Sequence, residues 1–195
     1  MKNNVLSQPG NRFWFSLLCA TALAAFTVTS LPGPIPTQSA PGSAVPPAQP
    51  AAMHPWTAVG STGAVDEASL SLYAFGTSEI GFKRGAFGSV VARYNVTNTF
   101  DNNAAPNKPG WRTLEMGSVA PINTIIEAKL FTIKACSTDP VLLCTARNRS
   151  MDNPCARCTI NATIDFTDSL YFVEVTLSRP NANTTSPRMF TLRVF

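Results

Sequence analysis

The chain predicts an all-β protein: a single antiparallel β-sandwich, jelly-roll or Ig-like, behind an N-terminal hydrophobic leader helix and a Pro-rich linker. Three observations predict it. Apolar and polar residues alternate with a period of two in run after run between residues 56 and 195. Breaks at Gly60, Gly63, Gly76, Pro121, Asp139-Pro140, Pro154 and Pro180 separate those runs. No stretch after residue 56 sustains a helical period over ten positions. Many short strands divided by turn signals define a sandwich, with an open barrel as the alternative closure.

The chain divides into 1–31, a signal peptide or N-terminal membrane anchor; 32–55, a Pro-rich disordered linker; and 56–195, the β-sandwich domain. Lys2 and Arg12 precede an uncharged run from Phe13 to Leu31. A basic start, an apolar stretch and then small residues form the pattern of an export signal. Val28-Thr29-Ser30 supplies a cleavage site after Ser30, and Ala22-Leu23-Ala24 an earlier one. Ser16, Thr21, Thr27 and Thr29 dilute the run, which favours a cleaved signal over a permanent span. Retained, Phe13–Leu31 is the one expected membrane contact. Cys19 makes a poor lipidation site, because Leu18 stands where a small residue is needed. From Pro32 to Pro55 lie eight of the 16 prolines. Proline lacks the N–H and fixes φ, so this segment reads as an extended spacer.

Within the domain, the expected strands run in order. Thr57–Val59 is a short piece. Leu70, Leu72 and Ala74 alternate, and Glu79–Phe82 is another short piece. Val90, Ala92, Tyr94 and Val96 form one face of a strand over Val90–Thr97. Arg112–Met116 follows. Thr124–Lys134 carries Ile126, Ala128 and Leu130 on one face and Ile125, Phe131 and Ile133 on the other. Cys158–Phe166 alternates through Ile160, Ala162, Ile164 and Phe166. Tyr171, Val173, Val175 and Leu177 share a face, and Phe190, Leu192 and Val194 end the chain. Antiparallel strands with one wet face produce this pattern.

Four cysteines, Cys136, Cys144, Cys155 and Cys158, fall between two of these strands. An even count in an exported chain predicts disulfides. If the strand ending at Lys134 pairs with one starting at Thr159, Cys136 faces Cys158, and Cys144 closes with Cys155. The bonds would then pin a polar loop over 137–157. Cys155-Ala-Arg-Cys158 also matches a redox pair, but lacks the strand-to-helix setting. A zinc site wants two short knuckles and finds one.

Composition excludes several functions. Without Lys2 and Arg12, 13 of the 15 basic residues remain against 11 acids, a net charge of about +2. That does not predict nucleic-acid binding. Arg147, Arg149 and Arg157 are the one basic cluster and carry no interleaved aromatics. The one histidine, His54, lies in the linker. Histidine-dependent triads and metal sites are therefore excluded from the domain. No catalytic residue, metal or cofactor is expected.

The remaining signals are weaker. Asn95, Asn148, Asn161 and Asn183 begin glycosylation sequons, with Asn148 and Asn183 the two expected in loops. Asp101-Asn102-Asn103 and Asp152-Asn153 read as plain polar turns rather than calcium sites. Trp111 is the candidate ligand-binding residue, able to stack on a sugar if exposed, though tryptophan more often closes a core. A terminal aromatic suggests an outer-membrane barrel, but Arg193 shares the face of Phe195.

These features describe an extracytoplasmic, non-enzymatic β-sandwich, secreted or tethered to the cell envelope. It would act in binding or as a structural surface component, with a carbohydrate or protein surface partner. One alternative is a glycan-active hydrolase using a carboxylate pair such as Asp165 and Glu174. Another is a subunit of a surface assembly that donates its terminal strand to a neighbour.

Overall fold

A computed structural model describes residues 54–99 and 107–195. The segment Phe13–Leu31, the linker before His54 and the Asp101–Asn103 turn lie outside the described residues. Eleven strands form: β1 (Trp56–Val59), β2 (Ala64–Val65), β3 (Tyr73–Phe75), β4 (Ile80–Phe82), β5 (Gly88–Val96), β6 (Thr113–Val119), β7 (Ile125–Lys134), β8 (Val141–Asn148), β9 (Cys155–Thr159), β10 (Ser169–Arg179) and β11 (Arg188–Val194). Two short 3-10 turns, Gly60–Thr62 and Glu67–Ser69, are the only helical pieces among the described residues.

The strands make two antiparallel sheets. One has the order β3-β4-β11-β6-β9, with β1 also on β11; the other has the order β2-β5-β10-β7-β8. From β4 onward only β7 and β8 are consecutive neighbours in one sheet; every other connection crosses between sheets. The inward faces carry the alternating apolar residues, which merge into one core. Tyr171, Val173, Val175 and Leu177 of β10 are buried, as are Val90, Ala92, Tyr94 and Val96 of β5. On the other sheet Leu114 and Met116 of β6 face inward beside Leu192 and Val194 of β11. Full burial of such side chains contributes about 1.5–3 kcal/mol each.

Both sides of this two-layer arrangement are tied shut. On one side the chain passes from β1 to β2 through Gly60–Thr62. The buried Tyr94 hydroxyl donates to the Gly60 carbonyl at 2.7 Å. On the other side a disulfide joins Cys144 of β8 to Cys158 of β9, with Cα atoms 5.9 Å apart. These two strands are the edges of different sheets.

The structure departs from the sequence expectations in four places. The strand expected through Leu70, Leu72 and Ala74 forms only over Tyr73–Phe75: Leu70 and Leu72 lie in the turn that follows Glu67–Ser69, and Leu70 is exposed. The 137–157 segment is not a loop: β8 occupies its middle, with Cys144, Ala146 and Asn148 facing inward. The strand expected over Cys158–Phe166 ends at Thr159, and the chain then leaves the sheet, though Ile160 and Ile164 stay buried. In β11 a bulge between Met189 and Thr191 shifts the register. One extra residue reverses the alternation. Met189 thereby takes the core position and Phe190 leaves it.

Candidate functional site

The cysteine pairing differs from the expectation. β7 pairs with β8 and β10, while β9 pairs with β6 in the other sheet, so Cys136 never faces Cys158. Cys136 sits exposed in the β7–β8 hairpin with φ 63°, and Cys155 is an exposed thiol at the start of β9. The bond forms between Cys144 and Cys158 because both point inward from facing edge strands. The Cys155–Cys158 spacing lies along a strand, so one cysteine faces solvent and the other turns in. A disulfide is compatible with an extracellular location.

Trp111 has no exposed face for a sugar. It is fully buried, packs edge-on against Phe166 at 5.9 Å, and its indole N–H donates to the His54 carbonyl at 3.1 Å. The ring closes one end of the core and ties down the chain entering β1. Asn148 is likewise buried rather than in a loop. Its amide nitrogen donates to the Ser118 carbonyl and hydroxyl and to the Asn153 carbonyl, which occupies the atom a glycan would need. Its oxygen accepts from the Ser150 N–H, so the residue organises the 149–153 turn. Asn183 is exposed between β10 and β11.

Asp165 and Glu174 are not brought together as a reacting pair. Asp165 lies in the β9–β10 connection, 3.2 Å from Lys108, and the Thr167 backbone N–H donates to its carboxylate. That hydrogen bond, then that of the Thr167 side chain and the Lys108 charge, hold its pKa below 3.8. Glu174 points outward from β10 and pairs with Arg93 at 2.9 Å. Burial pushes the Tyr94 phenol the other way, well above 10. It stays neutral, and its one polar contact is structural.

Two surface features gather side chains. The first is a cleft of about 770 Å³ where β1, the Gly60–Thr62 turn, β5 and β11 meet; Thr57, Thr62, Arg93, Asn95 and Arg193 project along it. Glu115 is the carboxylate there, and Arg157 holds it with Nε 2.6 Å from its oxygen.

The second is the outer face of the five-stranded sheet, where pairing sets residues in rows. Arg93, Glu174, Lys129 and Thr145 form one row, and Val91, Thr176, Glu127 and Arg147 the next. Glu127 is bound by Arg147 and lies 3.7 Å from Lys129. Toward the β7–β8 hairpin the face becomes apolar. Phe172 lies between Asn95 and Phe131, Leu142 is opposite Phe131, and Leu170 is opposite Ile133. Leu142 reaches this face because a bulge shifts β8 by one residue there. The Phe131 and Phe172 rings stack with centroids 5.1 Å apart and planes 15° from parallel. Leu170 is 64% exposed and Leu142 49%.

That Thr124–Lys134 is apolar on both faces is visible in the sequence; that its outer residues meet Phe172, Leu170 and Leu142 follows only from the pairing of β7 with β10 and β8. The signal was Ile125, Phe131 and Ile133 on what should be a wet face. No family model matches the chain, and no curated protein matches it in sequence.

Proposed function

We propose that the chain is an exported, non-enzymatic β-sandwich of jelly-roll type, which acts at the cell surface or outside the cell by binding a protein through the apolar end of its five-stranded sheet. One observation carries this reading. Phe131, Ile133, Leu142, Leu170 and Phe172 form one apolar surface at the end of a face whose next rows carry Arg93, Glu174, Lys129, Glu127 and Arg147. Contiguous exposed apolar patches are uncommon on monomeric proteins and mark contact sites.

Ring geometry selects the partner class. A sugar stacks on a free aromatic face, but Phe131 and Phe172 each turn one face to the other, and Leu142 and Asn95 are their cross-strand neighbours on the far sides. What they offer is ring edge and flanking aliphatic surface, which suits apolar side chains of a protein. Strand order supports the jelly roll: β5-β10-β7-β8 lies against β4-β11-β6-β9, eight strands in two sheets. The fold alone implies no activity. The separation of Asp165 from Glu174 by different cations speaks against a carboxylate-pair hydrolase. The leader pattern and the disulfide support export.

Carbene footprinting tests the reading in two settings: the purified chain in dilute solution, and the chain in the medium or envelope of the cells that make it. Labelling of Phe172 and Leu170 is expected to fall at least threefold in the cellular setting. Equal labelling in both settings would remove the face as a binding surface.

A further inference from the structure

We infer that the partner on this face is a second copy of the chain, docked about a two-fold axis that runs parallel to the strands between β7 and β10. The inference rests on the reading that the face is a contact surface. Its basis is self-complementarity. Rotation about that axis exchanges β7 with β10, so each residue on one strand meets the partner copy of its own cross-strand neighbour.

The register then dictates every central contact. Phe172 meets Phe131 of the other copy, and Leu170 meets Ile133. Glu174 meets Lys129, a carboxylate against an ammonium, and Thr176 meets Glu127. No like charges oppose one another on the two strands beside the axis. The roughly 30° rotation between packed sheets displaces contacts in proportion to their distance along the strands from the crossing point, so Phe172–Phe131 and Glu174–Lys129, midway along the set, are displaced least. A closed pair of this kind is isologous, so one patch serves both sides.

Size agrees. With strands ~4.8 Å apart and a rise of ~3.3 Å per residue, the strands of the five-stranded sheet span ~630 Å². Stable interfaces use about 600–1,000 Å² per partner, so the whole face reaches the lower end of that range.

The test exploits the Glu174–Lys129 contact through sedimentation velocity on the full chain at micromolar concentration, with circular dichroism to follow folding. The wild-type chain is expected to sediment as a dimer. Glu174→Lys sets lysine against Lys129, and Lys129→Glu sets glutamate against Glu174. Each variant alone is expected to dimerise at least tenfold more weakly. An equimolar mixture of the two restores opposite charges at both contacts and is expected to regain the dimer. Restored packing within one chain cannot produce that recovery. A monomeric wild type, single variants that dimerise normally, or a mixture that stays monomeric each overturns the inference. Should either variant lose its folded signature, Leu170→Glu at an exposed position replaces it; a monomer supports the dimer and a wild-type dimer refutes it. A monomeric wild type whose face is protected in cells would leave the contact surface standing with a different protein on it. A monomer with no such protection removes both readings.

Discussion

At the scale of single residues, Gly60 and Tyr94 decide whether the β1 side of the fold closes. A Cβ on Gly60 would stand 2.3 Å from the Met189 carbonyl oxygen and 2.8 Å from the Ile80 nitrogen. Both are backbone atoms of paired strands, so neither yields cheaply. Gly60→Ala is expected to destabilise by about 3 kcal/mol, at the upper end of overpacking costs. Tyr94→Phe keeps the ring but leaves the Gly60 carbonyl without its buried donor, an expected loss of about 1–3 kcal/mol. Urea unfolding of both variants checks this; an unchanged midpoint for either refutes its role. Tyr94 was legible in the sequence as an inward residue, because alternation depends only on its neighbours. The need for glycine at position 60 was not, since it arises from strands some 20 and 130 residues further along. Trp111 was open to either reading for the same kind of reason: a residue type sets a burial tendency, and only the assembled core decides.

At the scale of elements, alternation located the long strands well and failed where regularity breaks. β5, β7 and β10 lie where the pattern put them; the inward sets of β5 and β10 are as read, and in β7, apolar on both faces, Ile126, Ala128 and Leu130 take the core side. β8 was missed because its inward residues are Cys144, Ala146 and Asn148, none strongly apolar by type. The bulges in β8 and β11 were hidden as well, since an extra residue reverses the faces without leaving a mark in composition. The missed strand carries the disulfide, and its pairing was missed with it. Cys144 and Cys158 are 14 residues apart in sequence, yet they join the edges of two different sheets. Closing a loop of this length contributes about 3 kcal/mol by restricting the unfolded chain. Reduction, or Cys144→Ala with Cys158→Ala, is therefore expected to lower stability by about 2–4 kcal/mol. Reductant should have no effect on the double variant. Alkylation without reductant is expected to label Cys136 and Cys155 and to spare Cys144 and Cys158. Labelling of Cys144 in the folded chain would refute the pairing.

At the scale of the whole molecule, the all-β class and the division into strands were legible, because both are local properties of a short window. The order of strands was not. Almost every connection from β4 onward crosses between sheets, so neighbours in space are distant in sequence. This bears directly on the C-terminal strand, which the sequence offered as a segment to donate to a neighbour. β11 is no free end. It lies in the middle of its sheet, with β6 along one edge and β1 and β4 along the other. Met189, Leu192 and Val194 are buried in the core. The final residue is fastened too: the Phe195 carbonyl accepts from the Arg112 and Thr113 N–H groups, each at 2.8 Å. Removing residues 188–195 would strip three strands of their hydrogen-bond partner and open the core to water. Such a chain is expected to lose its near-ultraviolet circular dichroism and its cooperative unfolding transition, not merely to dissociate. A truncated chain that still unfolds cooperatively would show that the two sheets do not depend on their central strand. It would also reopen strand donation as a route to assembly. Loss of the transition would show that β11 is spent on the pairing of its own sheet and is not free for donation.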